Sequence, residues 1–176
     1  MKKYIVSVAV IFCSLFFAAC NTATPENYFD RAVLNSNMLS GFAGEGQLRQ
    51  MESPSAKMDE KGQAVPGKRL KELNQKIQFV EEEYKKVKSL KETEDARDIL
   101  QSSIALYNLV IPVYKTEYTQ LATAFDNGVA KEQLQQQAKA INEKYFAQYQ
   151  SLYNKLIAAG KLYAAKHNIK VNWAEN

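Results

Sequence analysis

The sequence is poor in the side chains that most metal and redox sites use. It has one histidine, His167, and two cysteines, Cys13 and Cys20, among 176 residues. Structural zinc, haem and di-iron sites draw on thiolates or imidazoles, and a di-iron helical bundle uses Glu-x-x-His on two helices. No Glu-x-x-His occurs in this chain. We therefore predict no metal site and no cofactor.

Recognisable catalytic motifs are also missing. No serine lies in the Gly-x-Ser-x-Gly turn of a nucleophile elbow. The glycine-rich run at 41–46, GFAGEG, is not followed by the Gly-Lys-Ser/Thr of a phosphate-binding loop, so we interpret it as a hinge or a helix end. The consecutive residues Glu81, Glu82 and Glu83 fan around a helix and are interpreted as a solvated face. The sequence predicts that the protein is not an enzyme.

Charge of one sign is not concentrated anywhere in the chain. Lys and Arg number 23 against 19 acidic residues, and 21 against 19 once residues 1–19 are set aside. The two signs are interleaved, as in KRLKELNQK at 68–76, which is typical of a solvated helix. We therefore expect no nucleic-acid partner.

The N-terminus carries an export signal. Two lysines precede an apolar run that is short for a membrane span, and small residues follow it before Cys20. The segment Phe17–Cys20, FAAC, resembles the lipobox of bacterial lipoproteins, in which the cysteine is acylated and becomes the mature N-terminus. The alternative is an ordinary signal peptide, cut after Ala19, that leaves a cysteine by coincidence.

The lipobox predicts three regions. Residues 1–19 are the signal peptide, 20–24 are the lipidated Cys20 and a short tether, and 25–176 are a single domain. The protein would be attached to the membrane through its N-terminal lipid. Asn21 is not the aspartate that commonly retains such proteins at the inner membrane, so the expected location is the cell envelope, at the outer membrane.

Helical periodicity dominates the mature chain. The longest pattern, at 96–128, places apolar residues at alternating steps of three and four, and a second apolar row widens that face. A face this broad suits the central helix of a bundle. Pro112 lies inside it and is expected to kink the helix, because it leaves the carbonyl of Asn108 without a donor.

The predicted fold is all-α, an antiparallel up-and-down bundle with no sheet. Three long helices are expected near 68–91, 94–126 and 130–166, with a shorter one near 25–40 that Thr24 caps. Residues 49–67 are predicted to be a mobile loop, with a short helical piece near 47–53. Gly128 is expected to end the central helix.

Tyrosine is abundant, with ten residues, and six of them lie on the inward sides of the last two helices. One interpretation is core packing, with hydroxyls that reach polar edges. The other is a groove for a partner or a ligand, opened where Pro112 falls level with Tyr149 and Tyr114 falls level with Tyr145. The six candidate residues are Tyr107, Tyr114, Tyr118, Tyr145, Tyr149 and Tyr153.

The chain resembles an uncharacterised family of helical bacterial surface lipoproteins. The resemblance is carried by the signal through Cys20, by residues 84–125 and by the KYFAQYQSLYNKL helix at 144–156. It implies an envelope location and an all-helical domain, and it supplies no activity and no site residues.

Two functions follow from the sequence. The first is a non-catalytic envelope lipoprotein that binds an envelope protein partner through a helical surface. The second is a carrier that holds a small apolar or aromatic ligand in the tyrosine-lined groove between the last two helices.

Overall fold

The computed structural model describes residues 23–173, and this part of the chain is predominantly helical, as predicted. One antiparallel pair of short strands lies between two of the helices. In chain order the elements are α1 (Pro25–Ala32), a 3₁₀ helix (Leu34–Leu39), α2 (Glu45–Glu52), β1 (Ala56–Met58), β2 (Ala64–Pro66), α3 (Arg69–Lys88), α4 (Arg97–Val113), a π-helical turn (Tyr114–Tyr118), α5 (Thr119–Asp126) and α6 (Lys131–Lys166).

Helix α1 begins where the sequence predicts but ends early. The Thr24 hydroxyl accepts a hydrogen bond from the Asn27 amide at 3.3 Å, and Pro25 occupies the first helical position. The α-helix stops at Ala32 and a 3₁₀ helix follows, so the single helix predicted near 25–40 is wrong in its second half. Ser36 donates from its hydroxyl to the Val33 carbonyl at 2.6 Å, a local bond that competes with the α-helical pattern.

The predicted loop at 49–67 contains regular structure. It holds the end of α2 and an antiparallel hairpin in which Ala56 pairs with Pro66. The Asp59 carboxylate accepts from the amides of Lys61 and Gln63 at 2.9 and 2.8 Å, which closes the hairpin turn. The prediction of no sheet is therefore wrong here. These strands are three residues long and exposed on both sides, so they leave no hydrophobic alternation in the sequence.

Helix α4 lies at the centre of the core, in contact with α1, α3 and α6. Its inner residues Leu106, Tyr107 and Val110 are fully buried. The broad apolar face read from the sequence is therefore used against several neighbours.

Pro112 is followed by a change of helix type. Helix α4 continues through the proline to Val113, and the next turn is π-helical. The Thr116 hydroxyl donates to the Pro112 carbonyl at 2.8 Å. A π turn inserts an extra residue into the helix, and here it leaves both Tyr114 and Tyr118 buried.

The two ends of the body are closed by contacts between distant segments. At the hairpin end, the Asp126 carboxylate accepts from the amides of Arg69 and Leu70 at 2.9 and 3.1 Å, so the end of α5 caps the start of α3. Gly128 follows with a φ of 71°, the left-handed conformation predicted for it. At the N-terminal end, the Tyr28 hydroxyl donates to the Lys91 carbonyl at 2.7 Å.

Candidate functional site

The predicted tyrosines do converge, but around another residue of the same chain. Phe42 is fully buried, and its ring centroid lies 5.3 to 6.5 Å from those of four tyrosines. We call this group the aromatic socket. It consists of Phe42, Tyr114, Tyr118, Tyr145 and Tyr149.

Phe42 fills the place where an open groove was predicted. Tyr114 is fully buried, and Tyr118 and Tyr149 are 3% and 6% exposed. The GFAGEG segment thus occupies the space among these three tyrosines, and the groove for a partner or a ligand stays a prediction. The core-packing interpretation describes these side chains.

The tyrosine hydroxyls hold the backbone that carries Phe42. Tyr149 donates to the Leu39 carbonyl at 3.0 Å, and Tyr118 accepts from the Ala43 amide at 3.0 Å. Ala43 has a φ of 55°, unusual for a residue with a Cβ, and this hydrogen bond holds it there. Burial raises the pKa of Tyr118 to about 12 and also raises that of Tyr149. These hydroxyls are thus protonated at neutral pH.

Tyr153 lies beside the socket. Its ring is 5.7 Å from that of Tyr149, and its hydroxyl donates to Asn37 Oδ1 at 3.2 Å. It adds one more contact between α6 and the 3₁₀ helix.

Tyr107 is not part of the socket. Its ring stacks on Tyr84 of α3, with centroids 5.5 Å apart. Its buried hydroxyl has no hydrogen-bond partner within the described part of the chain, and the same holds for Ser103 one turn earlier. Burial, with a smaller effect of the Glu83 charge, raises the pKa of Tyr107.

Glu83 is buried, which corrects the interpretation of 81–83 as a solvated face. It is 3% exposed. Its carboxylate accepts from Asn35 Nδ2 at 2.6 Å and from Lys86 Nζ at 2.5 Å. Glu82 is exposed, as the interpretation required, and Glu81 pairs with Lys115 at 2.5 Å. The interpretation from the sequence therefore missed one feature of the cluster, the contact of Glu83 with Asn35 of the 3₁₀ helix.

Lys76 is the most perturbed cation of the described residues. Burial lowers its pKa to about 8. Its ammonium donates to Gln47 Oε1 at 2.6 Å and lies 5.0 Å from the ring centroid of Tyr114. The adjoining cavity is about 20 Å³, room for a single water molecule. This is too small for an organic substrate.

Tyr145 lies at the edge of the socket and contacts a carboxylate on the π turn. Its hydroxyl and Lys144 Nζ both donate to Glu117. Desolvation opposes ionisation of Glu117, but hydrogen bonds from Thr116, Tyr145 and Lys144 outweigh it and bring the pKa to about 2. Glu117 is therefore an ionised acceptor at neutral pH and is unsuited to donate a proton.

An open cleft lies between α2, α5 and α6. It has a volume of about 670 Å³ and we call it the α2 cleft. Its apolar residues are Leu48, Leu121 and Ala138, together with the edge of Tyr118. Glutamates and lysines from α2 and α6 surround them, namely Glu45, Glu52, Lys131, Lys139 and Glu143.

The single histidine lies beside a carboxylate. His167 Nε2 lies 2.6 Å from Asp95 Oδ2, and Lys166 pairs with the same carboxylate. Within residues 23–173, no cluster of three or more His, Cys, Asp or Glu side chains is arranged to hold a metal ion.

Cys20 lies outside the described residues. None of the helices between residues 23 and 173 combines the length and hydrophobicity needed to cross a membrane. No family model, curated protein or solved structure matches the chain.

Proposed function

We propose that this protein is a non-catalytic lipoprotein of the bacterial cell envelope, attached to the outer membrane through Cys20, which binds a protein partner with its helical body. The observation that carries the proposal is the FAAC sequence, with its cysteine only four residues before Thr24. Thr24 caps α1, so the folded body starts directly after the proposed lipid site.

The body is proposed to be an antiparallel up-and-down bundle. The start of α3 hydrogen-bonds to the end of α5, so these two helices run in opposite directions. Short connections between neighbouring helices favour this arrangement. The start of α4 and the end of α6 meet through Asp95 and His167. Both contacts support this arrangement.

The chemistry of the described residues supports a non-catalytic role. The six candidate tyrosines are used in packing or in internal hydrogen bonds, and the Asp95–His167 pair is engaged by Lys166 and by the ring of Tyr163. Glu117 and Glu83 act as acceptors of structural hydrogen bonds.

The α2 cleft is the proposed binding surface. An apolar floor enclosed by charges of both signs is the usual composition of a protein interface core and rim. It suits an amphipathic helix whose apolar side covers Leu48 and Ala138 and whose polar edges meet Lys131, Lys139 and the glutamates.

The carrier function is less well supported. A ligand among Tyr114, Tyr118 and Tyr149 would have to displace Phe42, together with the hydrogen bonds that Tyr118 and Tyr149 make to the backbone beside it. The partner-binding function requires no such rearrangement.

Crosslinking in cells followed by affinity capture tests the partner. We expect one envelope protein to be recovered with the wild type and lost with Ala138→Arg, which fills the cleft. Phe79→Asp is the matched control, because Phe79 is an exposed apolar residue on α3. Recovery that is unaffected by Ala138→Arg, or lost equally with the control, would show that the cleft does not bind the partner.

Fractionation tests the anchor independently. The wild type is expected to remain with outer membranes until detergent is added, whereas Cys20→Ala is expected in the soluble fraction.

A further inference from the structure

We propose that the N-terminal end of the body rests on the phospholipid surface, with Leu162 in contact with lipid. We call this surface the anchor face and define it by Thr24, Glu92, Asp95, Leu162 and Lys166. The inference rests on the acylation of Cys20 in the proposed function, and it goes further by stating which surface faces the membrane.

The length of the tether limits the choice. Four Cα–Cα steps separate Cys20 from Thr24, and they span at most about 14 Å. Thr24 belongs to the N-terminal end. The 20 residues of α3 place the hairpin end about 30 Å away along that helix. A tether of this length cannot bring the hairpin end to the bilayer when the long helices are perpendicular to the membrane.

Three chain segments form the anchor face. The Tyr28 hydroxyl of α1 donates to the Lys91 carbonyl at 2.7 Å, which joins α1 to the turn before α4. Asp95 in that turn pairs with His167 at 2.6 Å, which joins the turn to the end of α6. Contacts between the three segments therefore hold this face together, and it includes Thr24, where the tether joins the body.

Leu162 is a large apolar side chain that this face exposes to water. It is 75% exposed, the highest value among the large apolar side chains of the described chain. Lys161 and Lys166 flank it on α6. Lysines around an exposed leucine suit a bilayer interface, where the apolar group enters the headgroup region and the ammonium groups remain in water.

Two acidic groups of the face are paired. Asp95 pairs with Lys166, and Glu92 pairs with Arg97 at 3.1 Å, whereas Glu94 and Asp98 beside Leu162 form no ion pair within the described residues. Such pairing weakens repulsion from anionic phospholipids at the short range where contact occurs.

The sides of the body are less suitable. Exposed phenylalanines there are single and lie on different helices, Phe79 on α3 and Phe146 on α6. Both are less exposed than Leu162, at 53% and 39% against 75%. A body lying on its side would also place α3 or α6 along the bilayer, and would bring both ends equally close to lipid.

Site-specific quenching distinguishes these orientations. Full-length lipidated protein is reconstituted in phosphatidylethanolamine–phosphatidylglycerol vesicles that contain nitroxide-headgroup lipid, with one fluorophore on an introduced cysteine. Acylated Cys20 has no free thiol, so labelling is specific. We expect Glu92→Cys, on the anchor face, to be quenched several-fold more than Gln63→Cys, in the exposed hairpin turn. Equal quenching, or none at either position, would overturn the proposal.

The leucine is tested against a matched residue at the other end. Leu162→Glu should lower quenching at position 92 several-fold, and Met58→Glu, at an equally exposed site on the hairpin, should leave it unchanged. Unchanged quenching in Leu162→Glu would refute the lipid contact. Mass spectrometry of the purified protein shows whether Cys20 is acylated. An unacylated Cys20 would overturn both the proposed function and the anchor face. An acylated protein with equal quenching at the two positions would overturn only the anchor face.

Discussion

Two different kinds of contact hold the segment at 34–47 against the long helices. On the α6 side, Phe42 enters the aromatic socket and tyrosine hydroxyls bind its backbone. On the α3 side, the buried carboxylate of Glu83 accepts from Asn35. The first contact gains its stability from apolar burial, whereas the second must offset the cost of removing a charge from water.

The difference shows where the segment is most securely held. Burial of an aromatic ring depends little on the protonation of any group, and burial raises the pKa values of Tyr114, Tyr118 and Tyr149, so these tyrosines are neutral at neutral pH. The Glu83 contact, by contrast, depends on hydrogen bonds that must remain in place once the carboxylate is desolvated. The predictions below test this contrast, from the largest expected effect to the smallest.

Removal of the Phe42 ring should have the largest effect. Phe42→Ala should lower the free energy of unfolding by about 3–5 kcal/mol, because it leaves a cavity among four tyrosines. Denaturant unfolding followed by circular dichroism gives the value. Phe79→Ala, at a ring that is 53% exposed, is the control and should cost far less. Similar losses for the two variants would contradict the socket.

Much of the helical fold could be predicted from the sequence because its signals are local. Helices α3 and α6 begin and end within about three residues of the predicted bounds, since heptad patterns and the turn at Gly128 act over a few residues. The level at which Tyr114, Tyr145 and Tyr149 meet also follows from simple helix geometry.

The occupant of the socket could not be predicted in this way. Phe42 lies in a glycine-rich loop, and the hydrogen bond that fixes the next residue joins Ala43 to Tyr118, 75 positions away. Glu83 was missed for a related reason, because a glutamate within a charged helix normally indicates solvent, and its burial depends on Asn35 of a distant segment. A lone aromatic residue among glycines was the only available signal.

Glu83 should rank second. Glu83→Ala removes the acceptor of Asn35 and Lys86 and leaves a small cavity, and we expect a loss of about 2–3 kcal/mol. Glu82→Ala is the matched control, because this neighbour is exposed and should change stability by less than about 0.5 kcal/mol. If both variants unfold at the same denaturant concentration as the wild type, the buried contact contributes nothing measurable.

Single hydroxyl deletions should separate the bonded tyrosines from the unbonded one. Tyr149→Phe leaves the Leu39 carbonyl without its donor and should cost about 1–2 kcal/mol. Tyr107→Phe removes a hydroxyl that has no partner within the described residues, so it should be neutral or slightly stabilising. Thermal melts of the two variants make the comparison, and a Tyr107→Phe variant that is the less stable of the pair would contradict it.

Lys76 should give the smallest effect and the one that depends on pH. Burial lowers its pKa in the folded protein to about 8, below the value of about 10.4 for an unfolded lysine. Below pH 8 both states bind the proton, and the cost of burying the charge is fully present. Between pH 8 and 10 the unfolded state binds more protons at Lys76, so the contribution of this lysine to stability should rise with pH.

The expected rise is on the order of 1 kcal/mol between pH 8 and 9, and Lys76→Met should abolish it. Above about pH 9 the tyrosines reverse the trend, because burial raises the pKa values of Tyr107, Tyr114, Tyr118 and Tyr149 in the folded protein while unfolded tyrosines begin to ionise. Stability measured by urea unfolding across this range should therefore pass through a maximum near pH 9 in the wild type. Lys71→Met, at an exposed lysine of the same helix, should retain that maximum. A rise of equal size in Lys76→Met would show that another group is responsible, and the partly buried ammonium would then have no measurable linkage to folding.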